Sequence, residues 1–240
     1  MRPWCQWQLE PLLRLIMGIC LLLATSAMGT MIILKLWGTE EGAADFPALL
    51  LHTLVFHGGV VVMIGWFLGE HQLSWSEAFG VRVVDVRRWI GWALLATLVC
   101  LVSAQFLGRF SGWLIETVSG EEPVLQSTVE LLRESSSPVR LLYMGLVTVV
   151  MAPIAEELLF RGVLYPAVLQ HQGRLVAMAG TSAVFGLIHA NLLTLLPLFA
   201  IAMVLTLLYE RTRNLFAPIL AHALFNLANF LMLLREGEAV

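Results

Sequence analysis

The sequence predicts an all-α fold: a polytopic membrane helical bundle of about seven transmembrane helices. Hydrophobic residues make up 59% of the 240 residues and charged residues 13%, and the mean hydropathy is +0.83. An average soluble domain is about 45–50% apolar and roughly 25% charged. A soluble chain of this length could not bury so much apolar surface, because small globular proteins leave a large share of their area in water.

The apolar residues fall into seven runs, most of them near the length of about 20 residues that a spanning helix needs. The predicted spans are 12–37, 46–68, 89–108, 138–170, 174–191, 194–209 and 215–234. The fourth run is longer than a bilayer requires, so part of it should protrude or tilt. We expect two regions. Residues 1–137 form an N-terminal region of about three spans plus a polar, interfacial segment at 109–137, and residues 138–235 form a core of about four spans.

The loop charges predict an orientation. The first loop, 38–45, is acidic, with Glu40, Glu41 and Asp45. The second loop, 69–88, is basic, with Arg82, Arg87 and Arg88, and so is the turn at 210–214, with Arg211 and Arg213. Because short basic loops stay in the cytoplasm, we expect a cytoplasmic N-terminus and an external C-terminus. The formal net charge of −3 provides no basic surface for nucleic acid, so no nucleic-acid partner is expected.

The fourth predicted span contains ionisable residues that a lipid-embedded helix normally avoids. Glu156, Glu157 and Arg161 interrupt an apolar sequence, and each costs about 2.5–3.5 kcal/mol on insertion scales. Glu157 and Arg161 are spaced i,i+4, so an intrahelical ion pair explains these two. Glu156 lies about 100° around the helix from Glu157 and is not explained by that pair. Glu156 is therefore the stronger functional candidate.

Three further polar residues lie in the fifth and seventh spans. If spans four and five form a hairpin around 170–173, Glu156 and His189 lie at the same depth, each about 24 Å along its helix from the turn. His222 and Asn226 share one face of span seven. An interhelical polar clamp is the alternative for this pair.

Two histidines of the second span have a weaker case. His52 and His57 are spaced i,i+5, which in an α-helix places them on different faces. We interpret them as polar residues that reach towards an interface rather than as a site.

One carboxylate, two histidines and an asparagine inside a bundle suit hydrolysis of an amide. That reaction needs an activated water, a proton for the leaving amine and donors for a tetrahedral oxyanion. The same residues leave a second route open, because Glu156, His189 and His222 also suit a zinc ion with one open coordination position. The sequence does not choose between the two routes.

The polar residues occur in three short motifs, each in an apolar run: Glu156-Glu157-x-x-x-Arg161, Phe185-x-x-x-His189 and His222-x-x-x-Asn226. In this order they resemble the motifs of the CPBP family over about residues 138–235. That family comprises the type II CAAX prenyl endopeptidases of the Ras-converting type and bacterial relatives, some linked to bacteriocin processing or immunity.

The resemblance implies a membrane-embedded, CAAX-protease-like endopeptidase in a bacterial inner membrane. By similarity, Glu156 is the catalytic glutamate, His189 its partner on the water, and His222 and Asn226 the oxyanion donors. The supporting residues are Glu157, Arg161 and Phe185. Both metalloprotease and metal-free mechanisms have been argued for the family, so a divalent metal such as zinc is an open expectation.

The expected partners are the lipid bilayer and a membrane-bound or lipidated protein or peptide substrate. The resemblance also leaves a non-catalytic alternative, a membrane scaffold or bacteriocin-immunity protein on the same fold.

Overall fold

A computed structural model describes residues 6–37, 45–81, 85–124, 126–135 and 137–237. The described residues form helices and no strands. We number the helices α1 (Leu9–Trp37), α2 (Asp45–Thr53, Leu54–Gly58 and Gly59–Glu70), α3 (Trp75–Phe79), α4 (Val86–Ser119), α5 (Ser127–Glu134), α6 (Pro138–Leu169), α7 (Arg174–Ile188), α8 (Leu192–Thr212) and α9 (Phe216–Gly237). The loop residues Glu40, Glu41 and Arg82, on which the predicted orientation partly depends, lie outside the described residues.

The predicted membrane helical bundle is confirmed. Six helices of the described chain are long and apolar enough to cross a membrane, namely those in α1, α2, α4, α6, α8 and α9. The fifth predicted span is present as α7, but its 15 residues reach roughly 22 Å, short of the roughly 30 Å hydrocarbon core. The orientation and the division at residue 137 remain predictions.

The third span is longer than the sequence predicts. We expected it to end at residue 108, but α4 continues as one helix to Ser119. The first third of the segment 109–137 is therefore helical and continuous with the third predicted span, and its placement outside the bilayer stays a prediction. The rest of that segment contains the short helix that its apolar pattern suggests, α5.

Helix α6 contains two π-helical stretches, Val147–Met151 and Leu158–Leu164. A proline follows each of them by two residues, Pro153 and Pro166. Proline has no N–H, and its ring clashes with the carbonyl four residues earlier. That carbonyl belongs to Val149 or Gly162, inside the wide turns, so the π-helical stretches let one helix continue through two prolines.

The bundle exposes many large apolar side chains, and it buries two of its charged residues. Trp66, Leu142 and Met31 are more than 70% exposed, whereas Arg161 and Glu157 are among the largest fully buried side chains of the described residues. This arrangement suits a molecule surrounded by lipid, where an apolar surface has no cost and charges must find partners within the protein.

Helix α6 lies at the centre of the bundle. Its first half packs against α9, and its second half packs against α2 and α7, while α8 lies between α4 and α7. The three motif-bearing helices therefore meet around the middle of α6.

The two histidines of α2 lie closer together than expected. Between them the helix is π-helical over Leu54–Gly58, which places residues five apart on one face. The rings of His52 and His57 lie 6.4 Å apart between centroids, and His52 Nδ1 is hydrogen-bonded to Ser26 Oγ at 2.6 Å. The expectation that they lie on different faces is wrong.

The link between α2 and α4 is fastened to the turn between α8 and α9. Phe79, at the end of α3, is buried, and its backbone carbonyl accepts a hydrogen bond from the N–H of Leu215 at 3.1 Å. Gly80 follows with φ +64°, and a Cβ there would lie 2.0 Å from the carbonyl oxygen of Arg213. Only glycine fits this close approach without strain.

We predict that Gly80→Ala destabilises the protein, because the left-handed backbone and the clash with Arg213 each oppose a side chain. The expected loss is about 2 kcal/mol or more in the free energy of unfolding. It can be measured by titrating the detergent-solubilised protein with SDS. Gly69→Ala is the matched control, since a Cβ at Gly69 meets no atom within 4 Å. Equal stability of the two variants would contradict the predicted contact.

Candidate active site

Glu157 is the centre of a buried polar cluster. One oxygen, Oε1, accepts hydrogen bonds from Arg161 Nη1 at 2.7 Å and from His222 Nδ1 at 2.9 Å. The side chains of Glu157, Arg161 and His222 are 0%, 2% and 6% exposed. The i,i+4 ion pair that the sequence suggests is therefore present, and it has a third member.

Arg161 connects this cluster to two further helices. Its Nη2 donates to the backbone carbonyl of Ala202 in α8 at 3.0 Å. Its guanidinium carbon lies 5.1 Å from the centroid of the Phe185 ring in α7, a cation–π distance. The i,i+4 spacing places the Arg161 side chain on the same face of α6 as Glu157. Together Glu157 and Arg161 join α6 to α7, α8 and α9.

The hydrogen bond to Glu157 fixes which ring nitrogen of His222 carries a proton. A carboxylate paired with arginine is ionised and can only accept, so the Nδ1 of His222 must donate. A neutral His222 therefore presents Nε2 as an acceptor. This nitrogen lies 3.8 Å from Glu156 Oε2, longer than a direct hydrogen bond.

The two adjacent carboxylates have different surroundings. The side chain of Glu156 is 22% exposed and that of Glu157 is 0% exposed. Glu157 is engaged with Arg161 and His222, whereas Glu156 faces the unbonded nitrogen of His222. Glu156 is thus the carboxylate that a ligand can approach.

His189 is held in a similar way. It lies at the C-terminal end of α7, and its Nδ1 is hydrogen-bonded to the carbonyl oxygen of Phe185 at 2.7 Å. A carbonyl only accepts, so Nδ1 carries the proton and a neutral ring presents Nε2 as an acceptor. The His189 ring lies 4.9 Å from the Phe185 ring, and the Phe185 ring lies 6.0 Å from the His222 ring, centroid to centroid. The chain then turns sharply through Ala190, at φ 49°, into α8.

Asn226 is placed differently from the other motif residues. Its Nδ2 donates to the backbone carbonyl of Thr148 at 2.8 Å, eight residues before Glu156 in α6. The structure thus brings together Glu156, Glu157, Arg161, Phe185, His189 and His222, and it ties Asn226 to the backbone of α6 about two turns before Glu156. One amide hydrogen of Asn226 is engaged there, and the second is not used by that bond.

The carboxylates and histidines do not form a metal-binding group as they stand. Among the residues that the structure describes, no three His, Cys, Asp or Glu side chains are arranged to hold a metal ion. The expectation that Glu156, His189 and His222 hold a zinc ion stays a prediction.

Several groups that bind the site residues could not be identified from the sequence. The carbonyls of Ala202 and Thr148 are backbone groups, for which no residue type gives a signal.

A second network, which the sequence analysis does not predict, joins Tyr165, Arg174 and Glu210. The Tyr165 hydroxyl donates to Glu210 at 2.5 Å, and Arg174 binds both Glu210 oxygens at 2.6–3.0 Å. The sequence signal for this network is Glu210, a carboxylate in the last turn of the spanning helix α8.

Comparison with known proteins agrees with the location of this site. Residues 138–228 match the family model "Type II CAAX prenyl endopeptidase Rce1-like". The matched residues contain every residue of the buried cluster and Asn226.

A curated bacterial protein also matches part of the chain. The Bacillus subtilis (strain 168) protein named "Putative membrane peptidase YdiL" is 27% identical over 135 residues, 56% of this chain and 52% of that protein. The matched region thus spans about half the length of this curated relative. No solved structure matches the chain.

We predict that Arg161→Met destabilises the protein by about 3–5 kcal/mol, because it leaves the buried Glu157 carboxylate without its cation. The free energy of unfolding in detergent measures this loss. Arg14→Met is the control: Arg14 pairs with Glu10 and Glu70 at 2.6 and 3.0 Å but is 53% exposed, so its loss should cost under about 1 kcal/mol. Similar losses for both variants would contradict a structural role for the buried pair.

Proposed function

We propose that the protein is an intramembrane endopeptidase that cleaves a membrane-associated or lipidated protein or peptide with a water activated by Glu156. The observation that carries the proposal is the 3.8 Å approach of His222 Nε2 to Glu156 Oε2, with His222 held from behind by Glu157. The match of residues 138–228 to the Rce1-like family model supports the same reaction class.

The proton positions favour a general-base role for this group. Glu156 offers carboxylate oxygens, and neutral His189 and His222 each offer an Nε2 lone pair. A water molecule has two hydrogens to donate to such acceptors. Held this way, its oxygen is made more nucleophilic and is oriented towards a substrate carbonyl.

In the proposed reaction the water oxygen bonds to the carbonyl carbon while Glu156 accepts one of its protons. The tetrahedral intermediate then collapses, the C–N bond breaks, and the protonated Glu156 returns the proton to the leaving amine. Water and peptide give one carboxyl group and one amine, and the enzyme returns to its starting state.

The oxyanion requires donors, and the hydrogen bond from His222 Nδ1 to Glu157 bears on which donors we propose. Neutral His222 has no proton on Nε2, so it can donate to an oxyanion only as an imidazolium. The ionised Glu157 at 2.9 Å would stabilise that positive charge. Asn226 retains one amide hydrogen for the same purpose. We assign His222 the role of an oxyanion donor that acts only as an imidazolium stabilised by Glu157. Asn226 is a supporting oxyanion donor.

We predict that Glu156→Gln lowers cleavage by about 10²–10⁴-fold, because an amide cannot accept the water proton. In the assay, purified protein in liposomes is mixed with solubilised membranes of the organism that produces the protein. New peptide N-termini are then counted by mass spectrometry. In H₂¹⁸O, one heavy oxygen should enter each new carboxyl group. Glu116→Gln, an exposed residue of α4, is the matched control.

The same assay separates the peptidase from a scaffold or immunity protein. If wild-type protein generates no new N-termini, or if Glu156→Gln generates as many as wild type, the peptidase proposal is wrong. A cellular phenotype that persists in the Glu156→Gln strain would favour the non-catalytic alternative.

We predict that cleavage does not depend on a divalent metal, because the described carboxylates and histidines are not arranged as a metal-binding group. Activity after treatment with EDTA or 1,10-phenanthroline should stay within about twofold of the untreated protein. Elemental analysis should find zinc well below one atom per chain. Stoichiometric zinc that is lost together with activity, and restores it when returned, would overturn the metal-free mechanism.

A further inference from the structure

A cavity of about 700 Å³ lies on the other side of α8 from the buried cluster, between α8 and α4. Its lining comes from α4, α8, the first residue of α7 and the turn after α8. None of its described lining residues belongs to the candidate active site. The mechanism above does not use this cavity.

One end of the cavity is basic. Of the described residues that line it, three are arginines, Arg174, Arg211 and Arg213, and one is an acid, Glu210. Arg174 binds both oxygens of Glu210, and the formal charge of these four side chains is +2. Arg211 lies over the Trp92 ring at 5.1 Å, a distance typical of a cation–π contact.

The remainder of the cavity is apolar and runs along the helices away from the arginines. The apolar lining residues are Trp92, Leu95, Ala96, Val99, Val204, Leu207 and Leu208. From Trp92 to Val99, and from Arg211 back to Val204, is seven residues, or about 10 Å of helix. Leu95, Val99 and Leu207 are 42–50% exposed, so this wall is open towards the lipid.

The position of the cavity in the bundle agrees with this amphiphilic character. The arginines lie where α7 begins and α8 ends, and Trp92 lies in the second turn of α4. Tryptophan and arginine at the ends of spanning helices mark the level of the lipid headgroups. The basic end should therefore lie at headgroup depth and the apolar wall at the depth of the acyl chains.

We propose that this cavity is a binding site for an anionic phospholipid. Its phosphate would lie between Arg211 and Arg213, with Arg174 held nearby by Glu210, and one acyl chain would lie along the α4–α8 wall. Basic pockets between spanning helices recognise anionic headgroups in this way. A zwitterionic lipid fits the same wall but adds a positive charge beside the arginines.

Native mass spectrometry of the full chain in detergent tests the proposal by titration with two lipids. Palmitoyl-oleoyl phosphatidylglycerol should bind at least about tenfold more tightly than phosphatidylcholine with the same acyl chains. Each arginine near an anionic headgroup contributes about fivefold. The Arg211→Gln/Arg213→Gln variant should therefore lose about tenfold to thirtyfold in phosphatidylglycerol affinity and change little towards phosphatidylcholine.

Matched variants separate the site from general charge effects. Arg109→Gln/Arg235→Gln removes the same two charges at exposed positions away from the cavity and should leave phosphatidylglycerol affinity within about twofold. Val99→Trp narrows the cavity along its apolar wall and should weaken the binding of both lipids. Arg211→Lys keeps the charge and should retain most of the preference, which guards against a folding defect in the glutamine variant.

Three results would overturn the proposal. The first is equal affinity for the two lipids in wild type. The second is an equal loss in the cavity and control variants, which would show that the effect comes from net charge alone. The third is displacement of phosphatidylglycerol by millimolar glycerol phosphate, which would show an anion site without an acyl-chain site.

Discussion

The hydrogen-bonded cluster around Glu157 is the constraint on which the rest of the bundle depends. Burying a carboxylate and a guanidinium costs several kcal/mol for each ion, and the cost is offset only if the partners are close and well oriented. Here Oε1 of Glu157 accepts from Arg161 and His222, and Arg161 also binds the Ala202 carbonyl and the Phe185 ring. Four helices must therefore take fixed positions around one carboxylate, whereas their outer surfaces need only be apolar.

The same cluster provides a physical reason for two adjacent glutamates with different surroundings. Glu157 is fully buried and serves to orient His222, so Glu156 is left with a partly accessible carboxylate opposite the free ring nitrogen. The protons on Nδ1 of both His189 and His222 are determined by acceptors behind the rings, Phe185 O and Glu157. The Glu156 carboxylate and the Nε2 atoms of neutral His189 and His222 all accept hydrogen bonds, so they are suited to hold a proton donor such as water. His222 would donate to an oxyanion only after its ring gains a second proton.

Much of this arrangement was predictable, and the parts that were not have identifiable causes. The spans follow from hydropathy, and the motif residues follow from the cost of polar groups in apolar runs. The π-helical stretches of α6 had a signal in Pro153 and Pro166, but periodicity arguments assume 3.6 residues per turn and miss them. The same assumption separated His52 from His57. The Ala202 and Thr148 carbonyls carry no side-chain signal, and so the engagement of Asn226 with the backbone could not be foreseen.

The protonation of His222 tests the central claim most directly. Solid-state NMR of the ¹⁵N-histidine-labelled protein in lipid bilayers, with the His222→Gln spectrum subtracted, reports each ring nitrogen of this residue. The hydrogen bond to Glu157 predicts a protonated Nδ1 at neutral pH, and in the neutral ring an unprotonated Nε2. In the Glu157→Leu variant this preference for Nδ1 should be lost. An unprotonated Nδ1 in the wild-type protein would contradict the account, because Glu157 would then not be the group that orients His222.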